Sequence, residues 1–427
     1  MTRNRDSNSP TPQPASPSAP ADVRMKGFAV RQTVDVAWSW IDAQVQPLSD
    51  EQVSLDASIR RTLARDIISQ VNVPSFARAM MDGYAVLAED TQGASSYNPL
   101  TLQVLGQSLP GAPYGNRVHS KQAVRIMTGA PMPDGADAVI PVEKTQRVDD
   151  QTIQVLADVS PQKHVGYPGE DIQQNSIVLT AGRLIRPQDL GVLSSMGVGQ
   201  VPVIRRPRVR IIVTGNELLP KGTTPRGYQI ADANGPMLRA LVERDGGIVT
   251  NDQIIPDQPE SILAAMSDEV DVVLVSGGSS VGQEDHAPRL LAEHGTLALH
   301  GLAMRPSSPS GMGTLDGRFV FLLPGNPVSC LCSYDFFAGR AIRKLTGRST
   351  DWPYPSAFGT LERKLVSQVG RVDYARVTLR DDGHIVPIAI AGASILSSTT
   401  RADGFVIIPE DSEGFAEGTK VQVWLYG

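Results

Sequence analysis

Between Val209 and Gly347 five short apolar runs each stop in a loop of small, acidic or hydroxyl-bearing residues, a pattern that few folds accommodate. VRIIV leads into Thr214-Gly215-Asn216-Glu217-Leu218, IVTNDQII into Pro256-Asp257, and DVVLV into Ser276-Gly277-Gly278-Ser279-Ser280-Val281-Gly282. LALHGLAM then leads into Arg305-Pro306-Ser307-Ser308-Pro309, and RFVFLL into Pro324-Gly325-Asn326-Pro327. Apolar residues at helical spacing separate the runs: Met237, Leu238, Leu241 and Val242, then Ile262 to Met266, Leu290 with Leu291, and Val328 to Leu345. Alternating strand and helix predict an α/β domain with a mostly parallel sheet. Ligands collect outside the carboxyl ends of such strands, so the five exits predict one cleft.

A chain of 427 residues exceeds what one hydrophobic core serves and divides into about three or four domains. The net charge of -6 offers no general basic face, which argues against nucleic acid or an anionic membrane as the main partner. No apolar run approaches the roughly 18 residues that span a bilayer, and the amino terminus lacks the apolar core of a secretory signal. Cys330 and Cys332 sit two apart on a predicted helix, so they diverge and share neither a metal nor a bridge. A reduced, cytoplasmic setting fits them.

Taken in order, residues 1–25 are rich in Pro, Ser, Ala and Thr and read as a disordered tail. Residues 26–73 and 163–205 read as an entry domain, with helical spacing from Val30 to Ala64 and a helix around Asp189 to Met196. Short alternating runs predict an inserted small β domain over 74–162. There Asp82-Gly83 reads as a turn exposing the carboxylate, and Thr128-Gly129 as backbone brought close to something. An Arg-Pro linker at Arg205 to Arg208 opens the α/β domain, 206–350. Asp351-Trp352-Pro353-Tyr354-Pro355 marks the next boundary, before a β domain over 354–427.

The loop holding Ser276, Gly277, Gly278, Ser279, Ser280 and Gly282 has the composition of a backbone N–H nest for phosphate; a plain tight turn is the plainer reading. It is neither a Walker A loop nor a dinucleotide fingerprint. Pro324-Gly325-Asn326-Pro327 with Ser329 opens a helix, whose free N–H groups offer a second anion seat or are simply capped by Asn326. Asp82, Glu217, Asp232, Asp257 and Asp285 lie in or beside loops, and a phosphate-bound Mg²⁺ uses one or two such carboxylates. Singly, each reads equally as a solvated or capping group. No paired histidine spacing occurs, which argues against zinc hydrolysis.

Several strings, in order, resemble the molybdopterin molybdenumtransferase family of the MoeA or gephyrin E-domain type. Met81-Asp82-Gly83-Tyr84-Ala85-Val86 is similar to its MDGYAV loop, Arg125 to Pro131 to RIMTGAP, and Gly169 to Ile172 to GEDI. Asp232-Ala233-Asn234 resembles its acidic-small-Asn loop, Ser276 to Gly282 its SGGVSVG, and Leu323 to Ser329 its LPGNPVS. The resemblance implies a four-domain, MoeA-like fold and a homodimer whose cleft joins one subunit's α/β domain to the other's β domain. It implies Mg²⁺-dependent insertion of molybdate into adenylylated molybdopterin, with release of AMP and molybdenum cofactor. By similarity Asp82 acts across the interface and Thr128 and Glu217 line the cleft, while Asp232, Asp257 and Asp285 serve Mg²⁺ and the pterin nucleotide. A molybdopterin adenylyltransferase and molybdoenzymes are the implied pathway partners.

The chain departs from the family where KPGKP reads Arg305-Pro306-Ser307-Ser308-Pro309, leaving Arg305 to attract the oxyanion. TGDE reads Thr214-Gly215-Asn216-Glu217, and Ala77 and Ala79 replace a common Asp and Ser. The competing readings are a non-catalytic molybdopterin-binding scaffold or carrier, and a molybdopterin adenylyltransferase.

Overall fold

The computed structural model describes residues 31–278 and 285–426. They form two compact units, one holding Asp50–Val203 and the other the chain on either side of it. The 1–25 tail lies outside the described residues.

The α/β domain consists of β1 (Arg208–Thr214), α1 (Asn234–Arg244), β2 (Ile248–Ile255), α2 (Pro259–Met266), β3 (Val272–Ser276) and α3 (Ala287–His294). It continues through β4 (Thr296–His300), β5 (Gly311–Leu315), β6 (Arg318–Leu323), α4 (Pro327–Ser333) and α5 (Gly339–Leu345). The six strands lie in the order β2-β1-β3-β6-β5-β4. β2, β1, β3 and β6 are parallel, and β5 runs against both β6 and β4. The central strands are buried on both faces, which is why they read as continuous apolar runs. Val209, Ile211, Val213, Val272 and Leu274 pack on one side, and Ile212, Val273, Val275, Val320 and Leu322 on the other with α2 and α3.

The sequence reading misses β5 and treats LALHGLAM as one strand. β5 escapes because it is Gly-Met-Gly-Thr-Leu, and its glycines answer to backbone crowding rather than to alternation. A Cβ on Gly313 would stand 1.9 Å from the Thr296 carbonyl oxygen. LALHGLAM splits at Gly301: β4 stays in this sheet, while Met304–Arg305 adds in parallel to Val372–Leu379 of the carboxyl-terminal domain. The stretch read as one helix from Val328 to Leu345 is interrupted by a π-helical turn, Tyr334–Ala338. That turn presents buried Asp335 to Arg244 Nη2 at 2.9 Å and to the Tyr354 hydroxyl at 2.9 Å.

The carboxyl-terminal domain is a closed barrel of Val372–Leu379, His384–Ala389, Ser356–Leu361, Lys420–Leu425 and Gly404–Ile408, the last strand pairing with both the first and the fourth. The proline-marked boundary before it is a packed seam. Trp352 meets Phe336 edge-on at 4.8 Å between ring centroids, and Tyr354 meets Phe405 at 5.4 Å.

Two elements depart from the entry-domain reading. The helix Val34–Gln44 buries Val34, Ala37 and Ile41 in the same core as β1 and α5, and its Asp42 pairs with Arg340 at 2.6 Å. An apolar stripe says that a helix packs, not what it packs against. The Val53-Ser54-Leu55 stretch is not helical: Asp50–Ser54 is a strand paired with Gln200–Ile204, a partner far outside any local window.

In the Asp50–Val203 unit, Gly83–Val86 is a central strand of a six-stranded sheet, between Ala138–Pro141 and Gln122–Ile126. Gly83 is therefore not a turn residue; a Cβ there would stand 2.0 Å from the Ile140 carbonyl oxygen. A second core, with Leu63, Ile172, Ile185, Leu193 and Val203, holds the helix Pro187–Ser195.

The amino ends of the parallel strands are fixed by Asp271, whose carboxylate accepts Arg205 Nη1 and Nη2 at 2.9 and 2.8 Å and the Arg208 amide at 2.7 Å. Burial alone would raise the Asp271 pKa, but these donors hold it below the ordinary carboxylate range. A carboxylate with a depressed folded pKa stabilises above its unfolded pKa, and that contribution is lost as pH falls through the folded value. Asp271→Asn should cost about 1–3 kcal/mol at neutral pH. The gap to the wild type should close as both are titrated to strong acid, measured by urea denaturation across pH.

Candidate functional site

The site is built where β1, β3 and β6 end side by side. Thr214, Ser276 and Leu323 close these strands, with Val213 paired to Ser276 and Ser276 to Leu323. Three neighbouring parallel strands thus deliver the TGNE, SGG and PGNP segments to one edge. Asn234, at the start of α1, ties two of them together: its Nδ2 donates to Ser276 Oγ at 2.9 Å and to the Gly325 carbonyl at 2.8 Å. Gly277 is in the left-handed region at φ +98°, where a Cβ would lie 2.5 Å from the Thr214 carbonyl oxygen and 3.0 Å from Thr214 Oγ1. Only glycine lets the chain pass so close to Thr214.

This floor revises the phosphate-nest reading of the glycine loop. Ser276 is fully buried, with its hydroxyl on Asn234 and 3.5 Å from Cys330 Sγ, and the Gly277 amide donates to the Leu323 carbonyl at 3.2 Å. Both face into the protein. Gly278 follows at φ +56°, whereas Ser279, Ser280 and Gly282 lie outside the described residues. The Cys330 thiol is pushed by burial up to about 12 and so is no nucleophile at neutral pH.

The PGNP segment matches neither alternative drawn from sequence. Pro327 does open α4, but Asn326 makes no side-chain cap; its Oδ1 accepts from Ser394 Oγ at 2.8 Å. The Val328 amide, the first free donor of the helix, goes to the Ala393 carbonyl at 2.9 Å. A segment of the carboxyl-terminal barrel therefore sits on the helix start. Ser329 is buried, and its carbonyl accepts the Ser307 hydroxyl at 2.6 Å.

The Arg305 to Pro309 loop is thereby laid along α4, with Ser310 Oγ also donating to Ser333 Oγ at 2.8 Å. Arg305 is not simply an open cation. Its Nη2 holds the fully buried carboxylate of Asp373 at 2.8 Å, which also accepts Arg371 Nε at 3.0 Å and Ser367 Oγ at 2.9 Å. Several buried donors lack acceptors, among them Arg305 Nε, Ser308 Oγ, and Nε and Nη1 of Arg376, which is 0 % exposed. Arg376 Nη2 bonds the Ala391 carbonyl, two residues from the one that covers α4. Contacts of Ser307 with Ser329, Val328 with Ala393 and Ala391 with Arg376 knit loop, helix and barrel together. Sequence reasoning missed Arg376; its signal was a lone cation inside the buried run Tyr374-Ala375-Arg376-Val377.

The carboxylates are differently placed. Asp232 Oδ1 accepts the Gly235 amide at 2.9 Å, and its charge bears on Cys330 in the floor. Glu217 is exposed and folds back over Gly215, where an added Cβ would meet both its carboxylate oxygens at 2.9 Å. Asp257 follows β2 and Asp285 precedes α3, both half-buried. Among the described residues no three His, Cys, Asp or Glu side chains come together as a metal set, so Asp232, Asp257 and Asp285 are not a ready-made triad.

In the other unit the structure brings Asp82 and Thr128 together. Asp82 Oδ1 accepts both the hydroxyl and the amide of Thr128 at 2.7 Å, and the two donors hold its carboxyl below the ordinary range. Gly129 supplies a φ of +84° with open space around its Cβ position, so it serves the turn rather than a close approach. Thr128→Val should raise the Asp82 pKa toward the ordinary carboxylate value, read by NMR titration. An unmoved titration would contradict this assignment.

These observations describe a ligand-binding α/β domain with a loop-built site, carried in a larger chain with a small β domain and a terminal barrel. Residues 32–197 match the MoeA N-terminal region (domain I and II), 210–344 a probable molybdopterin binding domain, and 359–426 the MoeA C-terminal region (domain IV). A molybdopterin molybdenumtransferase of Haemophilus influenzae is 32% identical over 400 residues, covering 92% of this chain and 98% of its own. A putative molybdopterin biosynthesis protein of Methanocaldococcus jannaschii is 32% identical over 386 residues, covering 88% and 92%. The crystal structure of a molybdopterin biosynthesis MoeA protein from Pyrococcus horikosii superposes with a TM-score of 0.82 at 32% identity, covering 93% of this chain and all of its own. The chain belongs to the molybdopterin molybdenumtransferase family, of the MoeA type.

Proposed function

We propose that this chain is a molybdopterin molybdenumtransferase of molybdenum cofactor biosynthesis, which inserts molybdate into adenylylated molybdopterin and releases AMP. The observation that carries this reading is the set of buried donors without acceptors, on Arg305, Ser308 and Arg376. Orphaned buried donors cost about 1–3 kcal/mol each and persist where an acceptor completes them. A tetrahedral oxyanion is acceptor on every side and suits two guanidinium groups and a hydroxyl. The KPGKP departure is thus offset: the loop keeps one cation, shared with Asp373, and the barrel supplies the second in Arg376.

The adenylylated pterin would lie over the adjoining floor of Thr214, Asn234 and Gly277. Magnesium, when bound, would offset the phosphate charge. Asp232 fits such an ion, which needs only one or two carboxylates besides water and phosphate, with Asp257 and Asp285 contributing from neighbouring loops. Asp82, held ionised by Thr128, is the carboxylate proposed to act from the partner subunit of a homodimer. Exposed Met80 and Met81, which immediately precede it in the chain, support a surface covered by a second copy. Among the described residues no helix is long and apolar enough to cross a membrane, and both cysteines are free and buried; we place the reaction in the cytoplasm.

Supplied with adenylylated molybdopterin, Mg²⁺ and molybdate, the protein should release AMP in a molybdate-dependent way and yield active cofactor. Pterin binding without turnover would favour the carrier reading, and ATP consumption with free molybdopterin the adenylyltransferase. Asp82→Asn should keep the fold and abolish cofactor synthesis; unchanged synthesis would refute its role. Arg376→Lys retains the charge but loses the planar fork, and should raise the KM for molybdate about tenfold with little change in binding of the adenylylated pterin.

A further inference from the structure

Among the described residues seven that are not glycine take a positive φ, and six of them, Arg60, Lys121, Gln162, His164, Asn175 and Asp316, stand in exposed or half-buried turns with φ between 46° and 66°. Ser307 is the exception on both counts. It is 2 % exposed and its φ is +89°, a region that glycine enters freely and a residue with a side chain does not. The family string KPGKP has glycine at this place, so this chain carries a side chain where the backbone favours none.

The side chain makes a bond that glycine could not. Ser307 Oγ lies 2.6 Å from the Ser329 carbonyl, which can only accept, so the hydroxyl donates. The Ser307 carbonyl in turn accepts the Ser310 amide at 3.1 Å and the Ser310 hydroxyl at 2.7 Å, and Ser310 Oγ stands 2.8 Å from Ser333 Oγ. Ser329 and Ser333 are four apart on α4 and share one face. The loop is thus fastened to two successive turns of that helix, directly by Ser307 and again through Ser310. Ser308, a buried donor without an acceptor, lies between the fastenings, and Arg305, shared with Asp373, lies just before the first.

An unfavourable backbone conformation persists only where its surroundings over-determine it, and here the bond to α4 does so. We infer that Ser307 is a positioning residue: its hydroxyl latches the Arg305 to Pro309 loop to α4 and fixes where Arg305 and Ser308 stand toward the oxyanion. This rests on the molybdate reading above. The loop has one cation where the family string has two, and donors held in place beforehand lose less freedom on binding, which offsets part of that deficit. Restoring the family's glycine should therefore harm the site rather than improve it.

Ser307→Ala removes the hydroxyl and keeps the unfavourable backbone, whereas Ser307→Gly removes the hydroxyl and relieves it. On the full chain the melting temperature, amide hydrogen exchange over the Arg305 to Pro309 loop, the KM for molybdate, kcat and the dissociation constant for adenylylated molybdopterin are measured. Ser307→Ala should melt below Ser307→Gly, because only the first keeps a positive φ on a residue with a side chain. Both variants should exchange faster over the loop than the wild type. Both should also raise the KM for molybdate about tenfold, with kcat and pterin affinity unchanged. A structural role alone would make the kinetic loss follow the melting temperature. A wild-type KM in Ser307→Gly would therefore overturn the proposal, as would equal loss of molybdate and pterin binding, which marks a disturbed cleft. If the wild type released no molybdate-dependent AMP, the functional reading would fail instead. Loop exchange would then decide the latch by itself, unchanged exchange in both variants overturning it and faster exchange upholding it.

Discussion

One carboxamide sets the geometry of this site. Asn234 reaches from the start of α1 to two loops that leave adjacent strands, and its two N–H groups are consumed by the Ser276 hydroxyl and the Gly325 carbonyl. Parallel strands bring the loops to the same edge, but pairing ends at Ser276 and Leu323 and leaves the two loops free to diverge. The amide closes that gap. It also fixes the direction of its own oxygen, which is buried without a partner. Replacing it by an aliphatic residue would leave a carbonyl and a hydroxyl without donors in a buried place, a cost out of proportion to one contact.

The second constraint is charge buried between the α/β domain and the barrel. Asp373 gathers Arg305, Arg371 and a serine, and Asp335 gathers Arg244 and Tyr354, each carboxylate being almost wholly removed from water. Such groups are kept only where several donors converge, and removing one partner leaves the others uncompensated. The π-helical turn at Tyr334–Ala338 belongs to this arrangement, since it is the element that carries Asp335 to its partners. Arg376 is as deeply buried, yet its Nε and Nη1 face no protein acceptor.

Crowded backbone explains several of the glycines. Gly83, Gly277 and Gly313 each lie where a Cβ would meet a carbonyl oxygen within 2.5 Å. Gly129 is the exception, there for its left-handed backbone beside Thr128. A glycine in a string does not announce which of these it is, because the deciding atom belongs to a distant strand.

The chain by itself determined a good deal. The periodic runs after Val209 carry the parallel sheet and its helices, since burial on both faces demands unbroken apolar residues. The order of short motifs carried the family, and Asp82 with Thr128 were both marked before their bond was seen. Local order could not show that Val34–Gln44 packs on α5, that Gly311–Leu315 is a strand, or that Arg305 is shared with Asp373. Nor could it show that Ser276 faces inward and that Arg376 is buried with donors unpartnered. Each of these depends on which groups from remote parts of the chain arrive at one point, and hydrogen-bond completion is a property of that meeting. Periodicity is written along the backbone, whereas the donors left over after folding are known only once every other donor has found its acceptor.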